Sequence, residues 1–223
     1  MIGNLHPALI LILGAILVPF LKGRLRSAYM VALPVVSFLH LLGLPHGSYG
    51  QIYLFDYTLT TVRIDRLSLV WGYIFHLAAF LTVIYALHVK EALQHTTGLV
   101  YVGAAIGAVF AGDLITLFVF WELTAVASVF LIWARRTERS YASGMRYLII
   151  QVGSGVLLLA GILIHLQQTG SIAFDHLGLD DTGTVLILIA FGIKCAFPFL
   201  HNWLQDAYPE ATPTGTVFLS AFT

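Results

Sequence analysis

Apolar residues along this chain fall into long continuous blocks separated by short polar stretches. Blocks of membrane-spanning length cover residues 5–21, 28–44, 67–88, 98–112, 114–134, 147–168 and 183–201, and an apolar tail follows at 214–223. A spanning helix takes roughly 20 apolar residues, so the pattern predicts about seven transmembrane helices with no soluble domain between them. The fourth block is short and carries Gly103, Gly107 and Ala111 at small-xxx-small spacing, which predicts close helix packing. Between the second and third blocks, QIYLFDYTLTTVRID is rich in β-branched and aromatic residues and reads as a short external hairpin.

Composition agrees: 59% of the 223 residues are hydrophobic and 10% are charged, with a mean hydropathy of +0.89, far from soluble-domain values. Open sheets leave edges unpaired in lipid, and the ten-residue alternation of a transmembrane barrel is absent. The expected fold class is therefore all-α, a polytopic transmembrane helix bundle forming a single membrane domain over 1–223. Lys22, the first cation, follows the block 5–21 instead of preceding it, so that block is expected to remain as the first span.

Charge then sets orientation. With the N-terminus outside, Lys22, Arg24, Arg26, Lys90, Arg135, Arg136, Arg139 and Arg146 lie on the cytoplasmic side against Arg63 and Arg66 outside, as the positive-inside rule expects. The predicted location is a cell inner (plasma) membrane, crossed several times. The arginine cluster after the fifth span is read as setting topology, with no chemistry assigned. One cysteine, Cys195, excludes internal disulfides and CxxC motifs, and no GxGxxG or GxxxxGK[ST] loop occurs. No nucleotide, haem or iron–sulfur cofactor is expected. Zero formal charge argues against nucleic acid. No catalytic constellation stands out.

Two charges contradict the apolar pattern. Glu122 sits mid-block in FVFWELTAVASVFLIW and Lys194 mid-block in TVLILIAFGIKCAFPFL, and an intramembrane charge costs about 2.5–3.5 kcal/mol or more unless something offsets it. One reading is a buried ion pair that fixes how two helices pack. The other is a switchable proton site, in which a lysine beside a carboxylate holds a proton until the pair is weakened. His40, His76, Gln151, Ser154, His165 and His201 are further polar residues in or near the spans. Intramembrane histidines are more often hydrogen-bonded packing residues than relays. His76, central in the third span, and His201, seven residues after Lys194 and so expected on nearly the same helix face, are the relay candidates.

Beyond Lys194 the chain reads KCAFPFLHNWLQDAYPEATPTGTVFLSAFT. Prolines at 198, 209 and 213 and Gly215 interrupt helix here, predicting a break around 205–213 at Pro209 and Pro213. Interrupted helices point to ion sites, although a Pro-rich turn between two helices gives the same signal.

Three segments together resemble one family: WELTAVASVFLI around Glu122, GIKCAFPFLHNWLQDAYPEATPTG around Lys194, and VRIDRLSLVW entering the third span. They are similar to the antiporter-like subunits shared by respiratory complex I and the Mrp-type multisubunit cation/proton antiporters. The resemblance implies that Glu122 and Lys194 form the input end of a proton route, with 1–97 holding the first three helices and 98–223 the first half of the channel core. The ending DAYPEATPTGTVFLSAFT is similar to the D-type Mrp subunit. Ser220 stands where many complex I homologues carry histidine, and Gln205 replaces a usual proline. Family members have about fourteen helices in two inverted repeats, with further lysines after the seventh helix. This chain would therefore be the N-terminal half of that fold, either a split subunit completed by another chain or a truncated product. The function so implied is proton translocation within a multisubunit Na+/H+ antiporter. Alternatives are a pump subunit of an NADH:quinone oxidoreductase or hydrogenase-type complex, and a non-conducting scaffold. Expected partners are other membrane subunits, including one supplying later helices, with protons and Na+ as the ions.

Overall fold

The computed structural model describes residues 5–54 and 57–223, and within them the chain is an all-α membrane bundle carrying one β-hairpin. In chain order the elements are α1 (Pro7–Ala15), a 3-10 turn (Val18–Phe20), α2 (Gly23–Leu42), β1 (Gly47–Leu54), β2 (Tyr57–Ile64), α3 (Arg66–Ala86), α4 (Ala92–Val109), α5 (Leu114–Trp133) and α6 (Glu138–Thr169). Then follow α7 (Thr182–Lys194), α8 (Asn202–Ala207), a 3-10 turn (Tyr208–Glu210) and α9 (Pro213–Phe222). Among the described residues, α2, α3, α5 and α6 are long and apolar enough to cross a membrane, while Pro7–Phe20 and Thr182–Lys194 are shorter apolar segments.

Side-chain caps fix where most of these helices begin. Asp65, Asp113, Thr137, Asp181 and Thr212 each accept a backbone N–H three residues on, satisfying a donor that the first turn would otherwise orphan. At α6 the reciprocal Thr137–Ser140 capping box starts the helix at Glu138, well before the predicted 147. Apolarity alone misses that extension, because ERSYASGMR is polar.

α4 is the central helix, packed between α1 and α5. Its glycines permit the approach that their spacing predicts: Gly103 lies against Ala8 and Leu11 of α1, and Gly107 against the Phe120 ring of α5. Being enclosed, α4 tolerates a polar first turn. The Gln94 amide donates to Glu91 (2.8 Å) and accepts from the Thr212 hydroxyl (2.8 Å), and His95 Nε2 bonds the Val89 carbonyl (2.8 Å). The exposed apolar surface falls to the outer helices, with Leu77 and Leu81 of α3 and Ile149, Val156 and Leu163 of α6 exposed.

The predicted hairpin is present, as β1 paired antiparallel with β2 from Gly47↔Ile64 to Leu54↔Tyr57. It is pinned to the α4–α5 turn. Arg63 N–H donates to the Phe110 carbonyl (2.7 Å) and Gly112 N–H to that of Thr60 (3.0 Å). The buried Asp113 carboxylate accepts from Thr60 N–H (2.7 Å) while also capping α5.

The main departure from expectation is the seventh span. The apolar block runs to 201 and predicts a break at 205–213, but α7 ends at Lys194. Phe197 N–H returns to Gly192 O (2.9 Å) and Ala196 N–H to Ile193 O (3.2 Å), and Ala196 is left-handed at φ 54°. That is the Schellman termination, with alanine where glycine is usual. Pro198 follows and cannot supply the N–H needed to resume helix. Pro209 and Pro213 mark a second, later turn: Pro209 lies in the 3-10 turn and Pro213 opens α9.

Candidate functional site

Because α7 stops there, Lys194 is its last residue. Thirteen residues at 1.5 Å each make α7 about 20 Å long, too short to cross the roughly 30 Å hydrocarbon core by itself. The negative end of the helix dipole favours a cation at that position. Trp203 of α8 closes the break by donating its indole N–H to the Ile193 carbonyl (2.9 Å). The half-buried ammonium of Lys194 donates to Thr124 Oγ1 (2.9 Å) and lies 5.1 Å from the Trp121 ring centroid. Thr124 donates in turn to the Trp121 carbonyl (2.6 Å), leaving its oxygen free to accept from the lysine. A positive charge over an indole face gains a cation–π attraction that strengthens away from water.

Glu122 is on the same helix as Thr124 and points elsewhere. Its carboxylate lies in the α5–α6 interface against Gly155, where a Cβ would overlap it, and its Oε1 is buried with no hydrogen-bond partner. Among the described residues, neither Glu122 nor Lys194 forms a salt bridge. The ion pair that would fix helix packing is therefore not made. The two residues thus meet different parts of the same turn of α5: Glu122 turns to Gly155 of α6, and Lys194 reaches Trp121 and Thr124.

The histidine candidates separate from this site. His76 is buried, with Nδ1 donating to the Gly72 carbonyl (2.6 Å) and Nε2 2.8 Å from Ser37 Oγ, which also bonds the Pro7 carbonyl (2.9 Å). It fastens α3 to α2 and α1. His201 does not share a helix face with Lys194, as their spacing predicts, because the helix between them is broken; it sits at the N-cap position of α8.

The arginine cluster, expected only to set topology, holds the broken helix in place. Glu210, 7% exposed, is gripped by Arg139 (2.7 Å) and Arg135 (3.7 Å). Arg146 binds Asp206 with two parallel bonds (2.7 and 2.8 Å), the fork geometry that guanidinium groups favour. Arg136 pairs with Glu91, and the amide of Gln94, first, then Arg136 holds the Glu91 carboxyl below the usual range. The sequence signal was available: two acids, Asp206 and Glu210, in a segment without cations, opposite a loop with three arginines. A cleft of about 450 Å³ leads from Arg63, Asp65 and Phe174 at the hairpin end of the bundle to Trp121, Thr124 and Lys194.

Comparison with known proteins adds a lineage to this geometry. A family described as NADH:quinone oxidoreductase/Mrp antiporter, TM, matches residues 111–223, a range that holds Glu122, Lys194 and both breaks. The chain is 29% identical to the A-type subunit of the Na(+)/H(+) antiporter of Alkalihalophilus pseudofirmus over 93% of its own length and 29% of that protein's. It is 33% identical to the NAD(P)H-quinone oxidoreductase chain 4-2 of Synechocystis sp. over 72% of its length and 31% of that protein's. The chain thus spans less than a third of these relatives. Among solved structures, 97% of it superposes on a chain of the archaeal membrane-bound sulfane sulfur reductase (TM-score 0.78, 23% identity, 50% of that chain). The Mrp complex from Dietzia sp. covers 98% (TM-score 0.77, 23% identity, 45% of that chain). These two share its fold, and both are multisubunit membrane complexes.

Proposed function

Because this chain belongs to the NADH:quinone oxidoreductase/Mrp antiporter transmembrane family, we propose that it is a proton-translocating, antiporter-like membrane subunit of a multisubunit Na+/H+ antiporter. The observation that carries this reading is Lys194 at the end of a broken helix, bonded to Thr124 and Trp121, with Glu122 on the same α5 but not in salt-bridge contact. A directly paired lysine would be locked by its partner. One held by a neutral hydroxyl and a ring keeps its proton exchangeable, while a carboxylate nearby tunes how tightly that proton is held. A charge moved toward or away from Glu122 would thereby act on Lys194, which is the coupling an antiporter needs.

In this proposal residues 98–223 form the first part of the channel core and 1–97 its support. The N-terminus faces outward across a plasma membrane, and the rest of the route is supplied by helices beyond these residues, in a longer form of the chain or in a second subunit. The Mrp relative from Alkalihalophilus pseudofirmus is of the A type, and the chain's ending resembles the D type; both are Mrp subunits, and the chain acts as one of this Mrp type. The test is transport by the assembled complex carrying Lys194→Ala. Proton and Na+ movement should fall to background with subunit composition unchanged; transport at the wild-type rate refutes the reading.

The quinone oxidoreductase relatives favour a second reading, a pump subunit driven by redox energy, which copurifying redox subunits and transport dependent on quinone reduction would support. A third, the non-conducting scaffold, predicts that Glu122→Gln combined with Lys194→Met leaves function intact. The missing ion pair already weakens it.

A further inference from the structure

The α5–α6 interface holds an amide that the proton site leaves unused. Gln151 of α6 is 0% exposed, and both ends of its side chain, Nε2 and Oε1, lack hydrogen-bond partners. A buried amide with neither donor nor acceptor satisfied is rare in folded proteins, and bound water is the usual explanation. The third orphaned atom in this interface is Glu122 Oε1. Gln151 and Gly155 are four residues apart and share a face of α6, and Gly155 is the residue against which the Glu122 carboxylate rests. The helix register supplies the level. Tyr147 bonds Ser128 (2.8 Å), and Trp121 donates to Ser154 (3.2 Å). Gln151 lies between Tyr147 and Ser154, so it is opposite the turn of α5 that contains Thr124, the residue bonded to Lys194.

We propose that Gln151 binds ordered water that bridges the Glu122 carboxylate to the Thr124–Lys194 bond. Water accepts from Nε2 and donates to Oε1 and to Glu122 Oε1, so one ligand chemistry completes all three orphaned atoms. The water's remaining lone pair accepts from the Lys194 ammonium, which has donors beyond the one given to Thr124, so the two charges meet through it. Gly155, having no Cβ, leaves room for the carboxylate at the end of this bridge. Gln151 is a positioning residue: it orients the water and touches no transported cation. Its part in transport rests on the reading of Lys194 as the proton site, whereas its occupancy by water does not.

The experiment uses the assembled complex with Gln151→Leu, which keeps side-chain bulk and removes both polar atoms, and Gln151→Asn, which restores an amide. X-ray radiolysis with mass spectrometry reads internal water as hydroxylation of Tyr147, 1% exposed and one turn from Gln151. Transport in proteoliposomes is measured on the same samples. Gln151→Leu should abolish Tyr147 labelling and slow transport by about 10-fold or more, and Gln151→Asn should recover both. Undiminished labelling in Gln151→Leu overturns the water site. Lost labelling with full transport, in a background where Lys194→Ala is inactive, overturns the positioning role. If Lys194→Ala itself transports normally, the proposed function has failed, and the labelling alone still decides whether Gln151 holds water.

Discussion

Gly155→Ala tests the site by geometry, because a Cβ there would overlap the Glu122 carboxylate. The helices cannot simply separate to admit it. The Trp121–Ser154 bond ties them right beside the contact and the Ser128–Tyr147 bond ties them about two turns along, so the carboxylate must swing away. Overpacking of this kind costs about 1–3 kcal/mol, while glycine to alanine within a helix returns about 0.8–1 kcal/mol. The net expectation is a loss of up to about 2 kcal/mol, with transport reduced to the level of Glu122→Gln. Gly153→Ala, two residues away, is the control: Gly153 has nothing within 4 Å of its added Cβ. It should raise the thermal midpoint slightly and leave transport unchanged. Both variants are compared in the assembled complex by thermal melting and proteoliposome transport. Equal midpoints and equal transport for the two would refute the placement of Glu122 against α6.

Other outcomes follow from the break and the clamp. Ala196→Gly should stabilise the protein by about 0.5–1 kcal/mol, since a non-glycine residue in the left-handed region costs about 1–2 kcal/mol and glycine gives back about half of that as chain entropy; a lower thermal midpoint would contradict the Schellman assignment. Glu91, whose carboxyl is held below its ordinary value, contributes stability that is fully present above the unfolded-state pKa and is lost as pH falls through the depressed one. Arg136 is mostly exposed, so its share is under about 1 kcal/mol. Arg136→Ala should shrink the acid-side loss in a pH–melting series, and an unchanged series would remove the pair from the account.

Much of the bundle was legible because lipid imposes a simple rule: long apolar blocks must be helices. The starts and ends of α3 and α5 fall within two residues of their blocks. The hairpin was legible from its β-branched run, and Gly103 and Gly107 from their spacing. What hydropathy does not encode is where backbone hydrogen bonding stops. The block around Lys194 continues apolar through Phe199 and Leu200, yet Ala196 takes a left-handed turn and Pro198 withholds a donor, so the helix ends before the apolar pattern does. Glu122 and Lys194 were visible as misplaced charges, and their separation was not, since side-chain direction on α5 depends on what Gly155 leaves open. Gln151 was noticed as one polar residue among several; only its two unpartnered ends set it apart.

Arg135, in the turn joining α5 to α6, and Arg139, in the first turn of α6, both close on Glu210, just ahead of α9. Arg146 farther along α6 holds Asp206 in α8. This makes a truss, with three struts tying α6 and the turn before it to the short segments beyond the break. Trp203, which α8 carries, donates to the Ile193 carbonyl beside Lys194, so the segment that the arginines hold is also the one that closes the end of α7 at the lysine.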